Sequence, residues 1–238
     1  MKSELVERLK KEILAMEGFC TPTVNSKVHF GIKTLEKAFP NHVFPTGAIH
    51  EMMCATPEDA AVSSGFAAAL AGRIMNDGGM CLWLGQEIYP PALRFFGIAP
   101  EKVLFVPPVE KQALWMIEEA LKCRSLKVVI GEIKELNLTE SRRLQLAVEE
   151  SRVTGFFLRH NPRSLSNTAA VARWRVTALP STETGIPGIG YYSWKVELLK
   201  VRNGIPGCWH IAWAPTGFAE QAAPVTHPSK AVHHIKTA

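Results

Sequence analysis

Five short apolar runs, "GAIHEMM" (47–53), "GMCLWLG" (79–85), "KVLFVPP" (102–108), "LKVVIGEI" (126–133) and "GFFLRH" (155–160), alternate with stretches of helical periodicity. Runs this apolar have no polar face to offer water, so each must be covered on both sides. With helices between them, the arrangement they dictate is a largely parallel sheet with helices packed on both faces. The intervening helices are predicted at 58–77, at 110–123 with Leu114, Ile117 and Leu121 on one face, and from the "NLTE" capping box at Asn137–Glu140 to about Val153. "PPALRFFG" (90–97) reads as a further short helix, with Pro91 in its first turn.

After Pro162 the rhythm changes. "AVARWRVTAL" (170–179), "WKVELLKVRNG" (194–204) and "GCWHIAW" (207–213) alternate polar with apolar, as antiparallel strands do when they extend a sheet. The Gly- and Pro-rich stretch 180–192 between them is expected to be a mobile loop. The fold class is therefore α/β, with a mostly parallel central sheet, helices on both faces and antiparallel C-terminal strands. Residues 1–20 form an N-terminal amphipathic helix, on which Val6, Leu9, Ile13 and Met16 recur at helical steps. The core is expected over 21–214, and 215–238, polar and aperiodic, as a disordered tail.

The first strand leads into "CATPEDAAVSSGF" (54–66) and then a small-residue helix, which is the setting of a phosphate-binding loop. The chemistry of such a loop is missing. Its glycines let backbone N–H groups wrap phosphate, a lysine meets the β- and γ-phosphates, and a Ser/Thr hydroxyl ligates Mg²⁺. The stretch Ala55, Thr56, Pro57, Glu58, Asp59 has no glycine, loses a donor at Pro57 and carries two carboxylates where phosphate charge would go. Ser63 and Ser64 are the remaining candidates for the hydroxyl position, and no lysine occurs from residue 38 to 101. Repulsion between carboxylates and a triphosphate in a cleft disfavours nucleotide there.

A net charge of +5 permits contact with acidic partners without requiring it. The five cysteines have no C-x-x-C spacing and are expected as reduced, buried thiols of a cytoplasmic protein. The eight histidines show no metal-ligand spacing. No apolar run is long enough to span a bilayer, and no membrane association, metal or cofactor is expected.

At residue level the order resembles the RecA-like ATPase core. "VHFGIKTLEKAFPNHVFPTGAIHE" is similar to the segment that sets up the first core strand, and "GGMCLWLGQEIYPPALRFFGI" to the one that carries the catalytic glutamate, with Glu87 at its place. "LKVVIGEI" resembles a Walker B strand, with Glu132 where the aspartate would be. "WKVELLKVRNGIPG" is similar to the late strand and hairpin whose lysines reach a neighbouring protomer's nucleotide, with Lys200 and Arg202 at those places. Together "FPTGAIHE", "PPAL", "RRLQLAVEESRVTGFFLRH" and "VELLKVRNG" are very like the ImuA family, RecA-like and SulA-like proteins of bacterial mutagenesis cassettes, over roughly residues 5–214.

That resemblance implies a non-catalytic accessory protein of SOS-linked translesion DNA synthesis. It would act as a scaffold for an ImuB-type Y-family polymerase homologue and, through it, an error-prone DnaE-type polymerase and the sliding clamp; contact with RecA or DNA is a further implied possibility. Glu87 and Glu132 would then be remnant acids. Arg163, Arg173 and Arg175, with Trp174 for stacking, and Lys200 and Arg202 are the candidate contacts to DNA or to a partner. Two alternatives stay open: a divergent RecA-like ATPase using Glu87 and Glu132, and a SulA-like inhibitor of cell division.

Overall fold

The computed structural model describes residues 30–86, 88–107, 111–162, 167–182 and 190–221, together with Val6, Val28 and Val109. The N-terminal helix expected over 1–20, apart from Val6, lies outside them, as do Glu87, Arg163, the greater part of the expected mobile loop and the chain beyond 221.

The described strands are β1 (Ile49–Cys54), β2 (Met80–Leu84), β3 (Val103–Val106), β4 (Leu126–Ile133), β5 (Thr154–His160), β6 (Ala172–Thr182), β7 (Tyr191–Val201), β8 (Gly207–Ala214) and β9 (Gly217–Gln221). They form one sheet in the order β3-β2-β4-β5-β1-β6-β7-β8-β9. Every pairing from β3 to β6 is parallel, and β7, β8 and β9 add antiparallel. The helices are α1 (Lys33–Glu36), α2 (Pro57–Ile74), α3 (Ala113–Lys122) and α4 (Leu138–Ser151). This is the expected mixed α/β sheet with flanking helices, consistent in general terms with RecA-like architecture.

The sheet divides the core into two layers. Met52, Val128, Ile130, Phe156, Leu158 and Trp174 pack with α2 on one face. Ile49, Val129, Ile133 and Phe157 pack with Ile117 and Leu121 of α3 and Leu144 and Val148 of α4 on the other. Alternate residues of one strand thus enter opposite layers, which is why the strand sequences are nearly all apolar.

Helix α2 begins as Thr56 caps it and runs 18 residues, about 27 Å, across the sheet. It packs on β6, β1, β5 and β4 and returns the chain to the start of β2. Phe66 to Gly72 are buried without interruption. A Cβ at Gly72 would collide with the carbonyl oxygen of Phe96, so Gly72 seats the 90–97 segment on the helix rather than the helix on the strands.

Residues 90–96 form the expected short helix, of 3-10 type and closed by Gly97 at φ 77°. Several other expectations are corrected. Pro180–Thr182 and Tyr191–Tyr192, expected in a loop, belong to β6 and β7. The ordered chain does not stop at 214. Phe218 of β9 packs edge-on against Trp213 at 4.8 Å, and Arg73 donates to the Thr216 carbonyl at 2.9 Å, which holds the turn. A five-residue strand with one large apolar side chain offers too little periodicity to be read. Of the described cysteines, Cys54 and Cys81 are buried but Cys123 and Cys208 are exposed. Burial pushes the Cys54 thiol up to about 11 and the Cys81 thiol up to about 12.

His50 sits fully buried on the α2 side of β1, stacked on Phe44 at 4.7 Å. Its Nε2 donates to the Pro45 carbonyl at 2.7 Å and its Nδ1 accepts from the Trp174 indole at 3.4 Å, which assigns the neutral tautomer. Burial among Phe44, Phe156 and Trp174 lowers its pKa to about 4, against a smaller opposing pull from Pro45. The unfolded chain therefore takes up this proton first, and stability falls as pH drops from about 6.5 towards 4. Urea unfolding is expected to show a loss of about 2 kcal/mol between about pH 7 and pH 5, a slope reduced in His50→Phe.

Candidate functional site

The connections leaving β1 and β2 cover one face of the sheet, whereas those leaving β3 and β4 run through α3 and α4 on the other. A crevice opens where such connections part, beyond the C-terminal ends of the parallel strands. Here it is a groove of about 720 Å³. One wall is the small-residue face of α2, with Ala60, Ala61, Ser64, Gly65 and Ala68. The other is Ile88, Tyr89, Ala92, Leu93 and Phe96, and the polar end is made by Thr56, Gln86, Glu132, His160 and Asn161. Trp83 and Cys54 line it as well.

Glu132 leaves β4 on the α2 face and points to this groove. Its Oε1 accepts from the Gln86 N–H at 3.0 Å, and His160 Nε2 at the end of β5 lies 3.3 Å from its Oε2. A Cβ at Gly85 would overlap the carboxylate and force the Glu132 side chain to shift from this position. Burial raises the Glu132 pKa, but the His160 imidazole and the Gln86 N–H outweigh it, and the net shift is downward. The group stays anionic at neutral pH.

The start of α2 satisfies itself. Thr56 Oγ1 accepts from Asp59 N at 3.1 Å, and Asp59 Oδ2 accepts from Ala55 N and Thr56 N, each at 3.2 Å. This is a reciprocal capping box. The Asp59 carboxylate thereby takes backbone donors at the place where a phosphate-binding loop would offer them to its ligand. Glu58 is exposed in the first turn, and hydrogen bonds from its own N–H and from Thr56 lower its pKa. Ser63 is buried and Ser64 donates to the Ala60 carbonyl at 2.9 Å. Among the described residues no lysine or arginine lines the groove.

A second polar cluster lies on the opposite face. Glu51 in β1 is fully buried between Arg159 of β5 and Arg173 of β6. Arg173 Nε donates to it at 2.8 Å and Arg159 Nη1 at 3.4 Å. Arg159 also lies 3.6 Å from Glu135. Lys200, paired in register with Arg173, donates to the Thr168 carbonyl at 3.4 Å, and Arg202 to that of Ala169 at 2.7 Å. Burial, then the Arg173 charge, lowers the Lys200 pKa, with Glu51 opposing.

The structure thus separates what the sequence listed together. Arg173 is spent on Glu51, and Trp174 is fully buried on the other face of β6, against Phe39 and Phe66, where it cannot stack on a base. Strand alternation requires this, since neighbouring residues point to opposite faces. Arg175 is exposed, and Lys200 and Arg202 are half-buried. His160, Gln86, Asn161 and the aromatic wall were not singled out from sequence. Their signal was positional: residues at the C-terminal ends of parallel strands converge.

No family model matches the chain. Protein ImuA of Caulobacter vibrioides is 29% identical over 237 residues, which cover 92% of this chain and 93% of that protein, in strain NA1000 / CB15N. The same figures hold for Protein ImuA of strain ATCC 19089 / CIP 103742 / CB 15. The relation is a distant homology across nearly the full length.

Two substitutions check the clusters. Thr56→Ala removes one half of the capping box and is expected to cost about 1 kcal/mol in urea unfolding. Glu51→Gln strands buried guanidinium charge and is expected to cost about 3 kcal/mol, with an unchanged denaturant slope.

Proposed function

We propose that the chain is a non-catalytic accessory protein of SOS-linked, error-prone translesion DNA synthesis, acting through protein contacts. The observation that carries this reading is the start of α2, where the Asp59 carboxylate takes the N–H groups of Ala55 and Thr56. An enzyme that turned over a nucleoside triphosphate on this fold would need those donors and a lysine at the same place. The strand, turn and helix have a structural use of their own without a nucleotide, because α2 fills one layer of the core. The distant homology to Protein ImuA supports the assignment of process.

On this reading the partners are an ImuB-type polymerase homologue and, indirectly, an error-prone DnaE-type polymerase and the sliding clamp, with RecA and DNA as further partners to be tested. Among the described residues no helix is long and apolar enough to cross a membrane.

Two measurements test it. Thermal unfolding with ATP, ADP and Mg²⁺ at millimolar concentration is expected to show no midpoint shift, whereas binding at a hundred times Kd would stabilise by about 2.7 kcal/mol. A saturable shift lost in Glu132→Gln would favour a divergent ATPase. Deletion of the gene is expected to abolish damage-induced mutagenesis, and unchanged mutagenesis would sink the reading.

A further inference from the structure

The groove at the end of the parallel strands has more features than a vestige needs. Its walls are apolar along their length, and among its described lining residues the firmly anionic group is Glu132, at one end beside His160. Among those described residues neither lysine nor arginine lines it, and Asp59 at the adjoining helix start adds negative charge. Phosphates and carboxylates are thus poor occupants, and an apolar body ending in a cation is a good one.

The apolar surface also continues outside. Phe96, on the groove wall, meets Phe95 at 5.5 Å and Tyr192 of β7 at 6.5 Å, and Phe95 meets Tyr192 at 5.4 Å. Tyr89 at the rim is 74% exposed, Phe95 48% and Tyr192 53%. Large aromatic side chains exposed side by side mark an interaction site, and a small molecule seated inside the groove would leave Phe95 and Tyr192 uncovered.

We propose that this groove is a docking site for a peptide segment of a partner protein, in which the side chain of a lysine or arginine reaches Glu132 while neighbouring bulky apolar residues lie on Phe96, Phe95 and Tyr192. The inference rests on the reading of this chain as an interaction protein. Charge complementarity selects the occupant: a carboxylate already held by the Gln86 N–H needs no rearrangement to receive a cation. The aromatic shelf outside adds the apolar contact that a chain, unlike a free amine, can make at the same time.

The indole N–H of Trp83, which lines the groove and has no hydrogen-bond acceptor among the described residues, is a local reporter in ¹⁵N-resolved spectra. The full chain is titrated with benzamidine, with phenylacetate, and with a blocked pentapeptide carrying a central arginine between tryptophan and leucine. The same peptide with glutamate in place of the arginine is the charge control. Benzamidine and the arginine peptide are expected to move the Trp83 signal saturably, the peptide binding about tenfold tighter or better. Phenylacetate and the glutamate peptide are expected to leave it in place. Glu132→Gln should weaken the arginine peptide about tenfold, and Ala61→Trp, on the exposed face of α2, should block it with the thermal midpoint unchanged.

Failure of both cationic probes to move the signal overturns the proposal, as does equal binding of acid and base probes, or indifference to Glu132→Gln. Benzamidine binding as tightly as the peptide would make this a small-molecule site and overturn it too. In cells, Ala61→Trp is expected to lower damage-induced mutagenesis as deletion does. If deletion lowers it and Ala61→Trp does not, the docking site fails while the accessory reading stands; if deletion itself has no effect, the accessory reading fails.

Discussion

Strand β1 has to be buried on both faces, and the rest of the molecule follows from the two polar residues it carries into that position. His50 turns to the α2 layer and Glu51 to the α3 and α4 layer. Neither can be left without partners, because a buried polar group loses its water at a cost of kilocalories. His50 is kept neutral by burial, with a carbonyl below and an indole beside it satisfying its two ring nitrogens. Glu51 is met by two arginines, one from each neighbouring strand. A slip of β1 by one residue against β5 or β6 would exchange these faces and break both sets at once. The pair therefore specifies the register at the centre of the sheet, where apolar residues alone would tolerate alternatives.

Much of this architecture was legible in the chain. Runs such as "LKVVIGEI" and "GFFLRH" are too apolar to face water, and Asn137 with Glu140 announces α4 by reciprocal capping. What was not legible depends on distance across the fold. The T-x-x-D of Thr56 and Asp59 could have been read as a second capping box, but the carboxylates drew the argument to electrostatics instead. The candidate contacts Arg173, Trp174 and Arg175 stood together in the chain, yet alternation along β6 sends Arg173 to Glu51 and Trp174 to the opposite layer. Sequence proximity within a strand is separation in space. Conversely, Glu132 and His160 stand 28 positions apart and end side by side, because β4 and β5 are adjacent parallel strands that finish at the same level.

The two polar clusters also differ in kind. The Glu51 cluster is internal: its carboxylate is held between two buried arginines, and its contribution is to specificity of packing. The Glu132 cluster is open on one side, with a half-exposed imidazole and a groove beyond it. A fold that fills its own helix start with Asp59 has, at the polar end of the groove, a carboxylate with unused accepting capacity. This division lets one part of the strand-end region serve stability and leaves another open to recognition.

The contact between Gly72 and the Phe96 carbonyl has a bearing on that recognition. It joins the helix that forms one wall of the groove directly to the segment that forms the other, main chain against main chain. Side chains at such a contact could swing and let the walls close in, but backbones already in van der Waals touch can come no nearer. The slot therefore has its width set before anything enters it. An occupant would select its fit from a preorganised aperture and avoid the ordering cost that a collapsing groove imposes, while anything broader than the slot would be turned away at the rim.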